Sequence, residues 1–240
     1  MNKDELKAFA RQCGFEAVGV ASPMPRTSGA LTSWLEQGLH GEMGYLERHA
    51  GLRRDPALLL PSLRSVLVLA KSYRTEDPPQ PSPNNPYPAA ISCYAWGRDY
   101  HDTLREALKR IVDFIHEHTG GAHQARACVD SAPVLERDFA AQAGIGWIGK
   151  HTCLIDKDGG SWFFLGEIYV DLPLPIDAPA TAHCGTCTRC IEVCPTQAII
   201  APHRIDARRC ISLRWACGSA PETPRSCRPS RFFRAPTRSA

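Results

Sequence analysis

Apolar and polar positions near the start of the chain follow a helical period and then change to a strand pattern. Asn2 followed by Glu5 is a helix-start pattern, and apolar residues recur at helical spacing after it. Gly14 ends that pattern, and residues 15–20 form an apolar run. The sequence therefore predicts an amphipathic helix followed by a strand.

The most regular helical pattern lies in the middle of the chain, over residues 101–118. Its apolar positions are spaced by four, three and four residues, and they are Leu104, Leu108, Ile111 and Ile115. Such spacing places them in one stripe on a helix. The pair Gly120-Gly121 is a typical helix end.

Further apolar runs predict strands at residues 65–70, 125–129 and 161–170, with a helix from about Pro133 to Gly144. Residues 77–88 contain six prolines and predict an extended loop. Strands that alternate with helices indicate an α/β (α+β) fold in which helices flank a mixed sheet. A proline-rich stretch after residue 172 predicts a domain boundary near residue 178.

Composition narrows the class of protein. The 240 residues are 43% hydrophobic with a net charge of +3, which suits one main domain with a small appended module. No apolar stretch reaches the roughly 18 residues of a membrane span, and the charged start is unlike a secretion signal. We therefore expect a cytoplasmic protein with no membrane partner, and a monomer.

Eleven cysteines are present, and four of them are clustered: Cys184, Cys187, Cys190 and Cys194. With Pro195 they form the pattern C-x2-C-x2-C-x3-C-P, which is typical of bacterial ferredoxins. Three closely spaced thiolates can surround one face of a [4Fe-4S] cluster, while the fourth serves a neighbouring cluster. The motif predicts a small ferredoxin-like [4Fe-4S] module.

Zinc is the alternative for such a cluster, but zinc sites of this size use two separated C-x2-C pairs. A two-cluster module needs a second cysteine run after the first. Cys210 can supply one ligand, whereas Cys217 and Cys227 lie ten residues apart and form no C-x2-C pair. The ligands of two standard clusters are therefore incomplete in this sequence.

The last thirty residues differ in character from the rest. They contain six arginines, five serines, four prolines, one glutamate and no aspartate. Such a composition predicts disorder. Our hypothesis is that the reading frame changes shortly after Ser212, which divides the chain into residues 1–178, an incomplete module at 179–212 and an aberrant tail at 213–240.

Several segments together resemble one known family, the epoxyqueuosine reductases. The segments are His40-Gly41-Glu42-Met43, Tyr94 to His101, Val129 to Arg137, Gly146-Trp147-Ile148-Gly149-Lys150, Ser161 to Glu167, and the ferredoxin run followed by Arg208-Arg209-Cys210-Ile211-Ser212. The resemblance covers about residues 4–212.

The resemblance implies an oxidoreductase that reduces epoxyqueuosine to queuosine at the wobble position of tRNA. It implies cobalamin as a cofactor, held in the first domain, and two [4Fe-4S] clusters that relay electrons from an external donor. Family members continue with a second cysteine run and a helical-repeat domain, from which this chain departs. The protein with this sequence is therefore expected to be impaired in the reaction.

Asp130 matches the family's proton donor. Loss of an epoxide oxygen as water requires protons, and a general acid at neutral pH requires a carboxyl pKa about three units above the ordinary ~3.9. Burial beneath a corrin ring would supply that shift. The alternative interpretation is that Asp130 only caps the helix near Pro133.

By the same resemblance, the cobalamin contacts are Arg53, Cys93, Asp130, Lys150, Leu154 and Leu165, and the metal ligands are Cys184, Cys187, Cys190, Cys194 and Cys210. Cys93 is expected near the cobalt, although a lone cysteine is more often a small buried hydrophobe. Arg53 and Lys150 are expected at the cofactor rim or the tRNA, with simple surface exposure as the alternative.

Four tryptophans, Trp34, Trp96, Trp147 and Trp162, are candidates for stacking on the bases of an anticodon loop. Core packing is the alternative, and we favour it for Trp162. A different class of function remains open at this point, namely a non-catalytic electron-transfer or maturation module that binds no corrin.

Overall fold

The computed structural model describes residues 1–74 and 92–212, in which helices and strands alternate. The α-helices are α1 (Lys3–Gln12), α2 (Ser28–Glu36), α3 (Gly44–Arg48), α4 (Ala50–Arg54), α5 (Tyr100–His118), α6 (Glu136–Gln142) and α7 (Arg189–Glu192). The strands are β1 (Ala17–Ala21), β2 (Ser65–Ser72), β3 (Ala125–Val129), β4 (Trp147–Ile148), β5 (Leu154–Ile155), β6 (Phe163–Val170), β7 (Ile199–Ala201) and β8 (Arg204–Ile205).

A four-stranded sheet in the order β1-β2-β6-β3 forms the centre of the molecule. Both β2 and β3 pair antiparallel with β6, so β2 and β3 run in the same direction. The unit β2-α5-β3 is therefore a β-α-β crossover that β6 splits by inserting between its two strands. The predicted class of a sheet flanked by helices is confirmed, but every neighbouring pair in this sheet is antiparallel rather than mixed.

Each face of the sheet carries its own apolar core. Helices α1 and α5 pack on one face, where Leu6, Leu108 and Ile168 are fully buried. Helix α6 packs on the other face, where its Phe139 is buried with Val68 of β2 and Tyr169 of β6. Burial on both faces explains why β2 reads as an unbroken apolar run instead of an alternating pattern.

Most predicted elements are present with shifted ends. The central helix begins at Tyr100, one residue before the prediction, and the first strand covers Ala17–Ala21 instead of residues 15–20. Helix α1 has the predicted capping box between Asn2 and Glu5. The short helices α2, α3 and α4 were not predicted, because their few residues show no sustained apolar stripe.

The segment from Cys184 to Cys210, called the cysteine module below, contains α7 and the β7–β8 hairpin. It contacts the main sheet domain through specific hydrogen bonds. The indole Nε1 of Trp34 donates to the Ile205 carbonyl at 2.6 Å, and the Ala207 amide donates to the Leu39 carbonyl at 2.9 Å. In the described ranges, no helix has the length and apolar character needed to cross a bilayer.

Candidate active site and cysteine module

Asp130 lies directly after β3, where the chain leaves the sheet. Its φ of 30° is positive, which is unusual for a residue with a side chain and is seen mainly where neighbours fix the backbone. Its carboxylate is 56% exposed. The turn therefore presents Asp130 at the surface, at the end of the sheet.

Two side chains from the start of α5 hold the Asp130 carboxylate. The Tyr100 hydroxyl donates to Oδ2 at 3.1 Å, and His101 Nε2 lies 3.0 Å from the same oxygen. The other ring nitrogen of His101 lies 2.8 Å from Asp99 Oδ1. An Asp–His–Asp chain with a tyrosine at one end is thus assembled from two segments about thirty residues apart.

The two carboxylates change the acidity of their partners. Hydrogen bonds from His101 to Asp130 and to Asp99 raise the pKa of the imidazole, because they favour its charged form. Burial, followed by the charge of Asp130, raises the pKa of the Tyr100 hydroxyl. Tyr100 is therefore a neutral donor, and the charged form of His101 is favoured beside Asp130.

This geometry changes two expectations about Asp130. Helix α6 begins at Glu136, and no side-chain cap bond occurs at its N-terminus within the described part of the chain, so the capping interpretation is wrong. Asp130 is also not buried by the protein alone.

A row of aromatic rings leads from Asp130 across the site. The Tyr100 ring stacks on Phe164 at 4.2 Å, Phe164 contacts Tyr73 at 4.6 Å, and Tyr73 meets Trp162 edge-on at 6.0 Å between ring centroids. We call these four residues the aromatic row. Phe164 is on β6, so the row is built on the rigid sheet.

Cavities open on both sides of Cys93 along this row. One, of about 260 Å³, is lined by Tyr73, Tyr100 and Phe164 together with Tyr94, Trp96 and Arg98. The other, of about 370 Å³, is lined by Trp162 and the Gly159-Gly160 turn. Cys93 lines both and is only partly buried. The structure therefore brings Cys93 to the candidate site, and its expected place near a cobalt stays a prediction.

The other predicted cofactor contacts lie apart from these cavities. Arg53 is 8% exposed, and its Nη1 has no hydrogen-bond partner among the described residues. Burial lowers the pKa of its guanidinium, whereas the charges of Tyr45 and Glu136 oppose that change. Leu154 is 3% exposed and belongs to the apolar core on the α6 face of the sheet. Leu165 is partly buried and packs against the same core. Their roles at a cofactor stay predictions.

Lys150 lies at the junction with the cysteine module, and its expected role at the cofactor rim or the tRNA stays a prediction. Its ammonium donates to the carbonyl oxygens of Gly185 at 2.7 Å and Cys187 at 2.8 Å. The Lys150 carbonyl in turn accepts from the His203 amide at 2.9 Å. Lys150 therefore fixes the loop between the first two cysteines of the module to the main domain.

The tryptophans divide between packing and exposure. Trp34 is held by its bond to Ile205, and Trp147 lies against His183. Trp162, which we expected in the core, is 49% exposed at the end of the aromatic row. That expectation is wrong, because Trp162 lies just before β6 begins.

The cysteine module provides thiols in a setting that suits thiolates. Every cysteine in the described ranges is free of disulfides. Burial alone would raise the pKa of Cys194, but backbone N–H groups of Ile199, Ala198 and Thr196 outweigh it and lower that pKa. The Ala198 amide donates to Cys194 Sγ at 3.2 Å. Amide bonds to sulfur are a feature of protein-bound iron–sulfur clusters, so the donor set fits such a cluster.

In the part of the chain that the structure describes, no three histidine, cysteine or carboxylate side chains form a site for a single metal ion. The iron–sulfur expectation therefore stands on the ligand pattern, the thiolate environment and the comparison below. Cys210 follows the turn at Ala207–Arg209 and is partly buried.

Sequence reasoning assigned no roles to Tyr100, His101, Glu136 or Glu167, which all surround or lie behind Asp130. A signal for His101 was present in the sequence, because Asp99, two residues earlier, is the N-cap of α5. Nothing in the sequence links Asp130 to that helix start, since the link arises only from the sheet order.

The fold and these residues define a class: an α/β protein with an exposed acid beside an aromatic cleft, joined to a ferredoxin-like module. Comparison with known proteins identifies the relatives. Residues 53–131 match the family model "Epoxyqueuosine reductase QueG, DUF1730", and residues 183–230 match "4Fe-4S double cluster binding domain". The second match extends beyond the described residues.

An epoxyqueuosine reductase of Xanthomonas campestris pv. campestris is 50% identical over 210 residues, which cover 86% of this chain and 59% of that protein. A crystal structure of epoxyqueuosine reductase with an epoxyqueuosine-modified tRNA-Tyr stem loop has a TM-score of 0.77 and 32% identity. The match covers 88% of this chain and 56% of the chain in that structure.

A structure of epoxyqueuosine reductase from Bacillus subtilis has a TM-score of 0.76 and 31% identity, covering 88% of this chain and 56% of that one. The resemblance expected from the sequence is confirmed: over most of its length the chain is homologous to the epoxyqueuosine reductases. It spans somewhat more than half the length of these relatives.

Proposed function

We propose that this chain reduces epoxyqueuosine to queuosine in tRNA, with Asp130 as the proton donor. The observation that carries the proposal is the Asp130 carboxylate, held by Tyr100 and His101 at the end of an aromatic cleft. The Bacillus subtilis relative supports the proposal, since its structure shows an aspartate catalytic loop that is swung out of the active site. An exposed turn with a positive φ, such as that of Asp130, suits such a loop.

The reaction has a simple balance of atoms and electrons. Both C–O bonds of the epoxide break, a C=C bond forms, and the oxygen leaves as water. The change consumes two electrons and two protons. The electrons come from an external reduced one-electron carrier, and the protons must come from side chains at the site.

The cysteine module is the proposed entry for electrons. Cys184, Cys187, Cys190 and Cys194 would hold cluster iron, together with Cys210. Cys194 supports this role because backbone amides already favour its thiolate. Completion of both clusters depends on residues beyond the described ranges, so the expected impairment of this product stays a prediction.

Cobalamin is the proposed cofactor of the cleft, where, when bound, it would supply the low-potential reduction. The two cavities that meet at Cys93 offer a partly apolar floor for one face of a large flat ring, with Tyr73, Phe164 and Trp162 along it. Exclusion of water from the exposed Asp130 carboxyl on cofactor binding would favour its protonated form.

Asp130 and His101 act as one acid in this proposal. They are hydrogen-bonded to each other, and Asp99 orients the imidazole from its other nitrogen. Tyr100, which lines the cleft, holds the Asp130 carboxyl by donating to Oδ2. The acid would donate its proton to the oxygen of a bound epoxide.

The proposed partner is a tRNA anticodon loop that carries epoxyqueuosine. The relative in complex with a modified tRNA stem loop supports this partner. Half-exposed Tyr94 and Trp162 border the cavities and offer aromatic faces on which unpaired bases can stack. A reaction on tRNA supports the expected cytoplasmic location.

The test is an anaerobic reaction with the full chain, reconstituted with iron, sulfide and cobalamin, and a stem loop containing epoxyqueuosine. Mass spectrometry should show loss of one oxygen from the modified base, only when cobalamin and a reductant are both present. Conversion without cobalamin, or none by cluster-loaded and cobalamin-bound protein, would contradict the proposal. Cluster loading without cobalamin binding would favour the electron-carrier alternative.

A further inference from the structure

The turn between β4 and β5 joins the main domain to the cysteine module through the side chain of Lys150. The Lys150 ammonium donates to the carbonyl oxygens of Gly185 at 2.7 Å and of Cys187 at 2.8 Å. Both acceptors lie in the short loop that runs from Cys184 to Cys187, the first two predicted cluster ligands. A positive charge is therefore held against the loop that would carry cluster iron.

The backbone around Lys150 fixes where this charge lies. The His203 amide donates to the Lys150 carbonyl at 2.9 Å, and His203 Nδ1 lies 3.1 Å from the Gly149 carbonyl oxygen. The φ angles of His203, 62°, and of Thr152 in the β4–β5 turn, 73°, are values that residues with side chains adopt mainly where contacts fix the backbone. A Cβ on Gly149 would lie 2.7 Å from Ile155 Cδ1, so only glycine fits this close packing. The Lys150 side chain therefore extends from a rigid junction.

Lys150 lies close enough to a ligand sulfur for its charge to act on a cluster. The carbonyl oxygen and the sulfur of one cysteine are separated by four bonds, so the ammonium is within roughly 8 Å of Cys187 Sγ in any rotamer. Physiological salt screens exposed charges only beyond about this distance. Neither hydrogen-bond partner of the ammonium carries a charge, so the two bonds fix the ammonium without neutralising it.

The charge of an iron–sulfur cluster changes when it is reduced. A [4Fe-4S] cluster on thiolates carries one more negative charge after it accepts an electron, and nearby charges are among the factors that set its reduction potential. A fixed cation attracts the reduced state more strongly than the oxidised state. An ammonium beside the first cysteine loop therefore favours reduction of a cluster bound there.

We propose that Lys150 raises the reduction potential of the cluster held in part by Cys184, Cys187 and Cys190, and so eases its filling by an external one-electron carrier. The inference rests on the iron–sulfur part of the proposed function. It makes Lys150 a positioning residue, because the side chain acts through the ligand loop. One electron enters the cluster in each step, no bond forms or breaks, and that carrier is the only reductant required.

A purely mechanical role is the competing interpretation, in which the two hydrogen bonds of Lys150 only hold the loop in place. Three substitutions separate the charge from the hydrogen bonds. K150Q keeps an N–H donor without a charge, K150M keeps neither, and K150R keeps both. A mechanical anchor affects how well the cluster is retained, whereas a charge also changes the reduction potential of the cluster that is present.

Redox titration of the reconstituted full chain, followed by the EPR signal of the reduced cluster, tests the proposal without turnover. In K150M and K150Q the reduction equilibrium should shift about ten-fold toward the oxidised cluster, which lowers the midpoint potential by about 59 mV for one electron. K150R should keep the wild-type midpoint. A midpoint does not depend on how much cluster is loaded, so partial loss of cluster from a variant does not obscure the result.

K157M is the matched control, because it removes the charge of an exposed lysine in the β5–β6 connection, and it should keep the wild-type midpoint. The inference would be overturned by a wild-type midpoint in K150Q, by a K150R midpoint as low as that of K150M, or by a wild-type chain that takes up no cluster. Failure of cluster-loaded, cobalamin-bound wild type to convert the stem loop would instead refute the proposed function, and the redox titration would still decide the role of Lys150.

Discussion

Asp130 shows how a single residue depends on partners that are distant in sequence. The carboxylate is exposed, yet Tyr100 and His101 define its orientation. The resemblance identified Asp130 itself, because the turn that carries it lies in the segment Val129 to Arg137, which resembles the family. It could not identify the partners, since only the pairing of β3 with β6 places that turn beside the start of α5.

His101 should make stability depend on pH. Its pKa is raised in the folded state, so its ion pairs stabilise the protein fully below the ordinary value of about 6.5 and are lost as pH rises through the raised value. H101N should lose about 0.5 kcal/mol of unfolding free energy at pH 5, since the carboxylates are more than half exposed. Urea unfolding at pH 5 and pH 9 checks this, and an equal loss at both would contradict it.

Glu136 should change stability in the same direction as His101, because its folded-state pKa is also raised. Between its ordinary value of 4.5 and about 7, the unfolded chain ionises first and the folded state keeps the proton. Stability therefore falls as pH rises through this window, by roughly 2 kcal/mol. Urea unfolding of E136Q should show little of this fall, and a fall as large as that of the wild type would contradict the assignment.

At the level of elements, sequence patterns predicted best the segments with one long apolar stripe. Helix α5 was predicted to within one residue because it packs a single face on the sheet. The split of β2-α5-β3 by β6 could not be predicted, because strand order depends on contacts between distant segments. Helix α6 began three residues later than expected, since Pro133 belongs to the turn.

The contact between α6 and β1 gives a test of packing. A Cβ on Gly19 would lie 2.1 Å from the carbonyl oxygen of Ala143, just past α6, so G19A must push the helix away. We expect a loss of about 3 kcal/mol in unfolding free energy.

Gly51 in α4 is the matched control, because a Cβ there would meet nothing within 4 Å. G51A should therefore be neutral or slightly stabilising. Denaturant unfolding of both variants checks the pair. Equal stability of G19A and the wild type would contradict the described packing of α6 on β1.

At the level of the whole molecule, the cysteine module is anchored to the main domain at Lys150, Trp34 and Leu39. The ferredoxin pattern and the domain order could be predicted from the sequence. The anchors could not, because Lys150 lies between two short strands and has no local pattern that indicates a distant partner. The proposed boundary near residue 178 stays a prediction.

Replacement of Lys150 should weaken cluster retention more than overall stability. K150M removes two charged hydrogen bonds to the first cysteine loop, so iron should be lost to a chelator roughly ten-fold faster under anaerobic conditions. K157M, which changes an exposed lysine in the β5–β6 connection, is the control and should match the wild type. Equal iron loss from all three proteins would show that this anchor does not support the module.

Asp130 is proposed to provide the proton that removes the epoxide oxygen, and this role can be tested directly. Its most direct test is single-turnover conversion of an epoxyqueuosine stem loop by wild-type and D130N protein with equal cluster and cobalamin loading, followed by mass spectrometry. D130N should bind the stem loop as the wild type does but form product at least about 100-fold more slowly. Conversion by D130N at the wild-type rate would contradict the account.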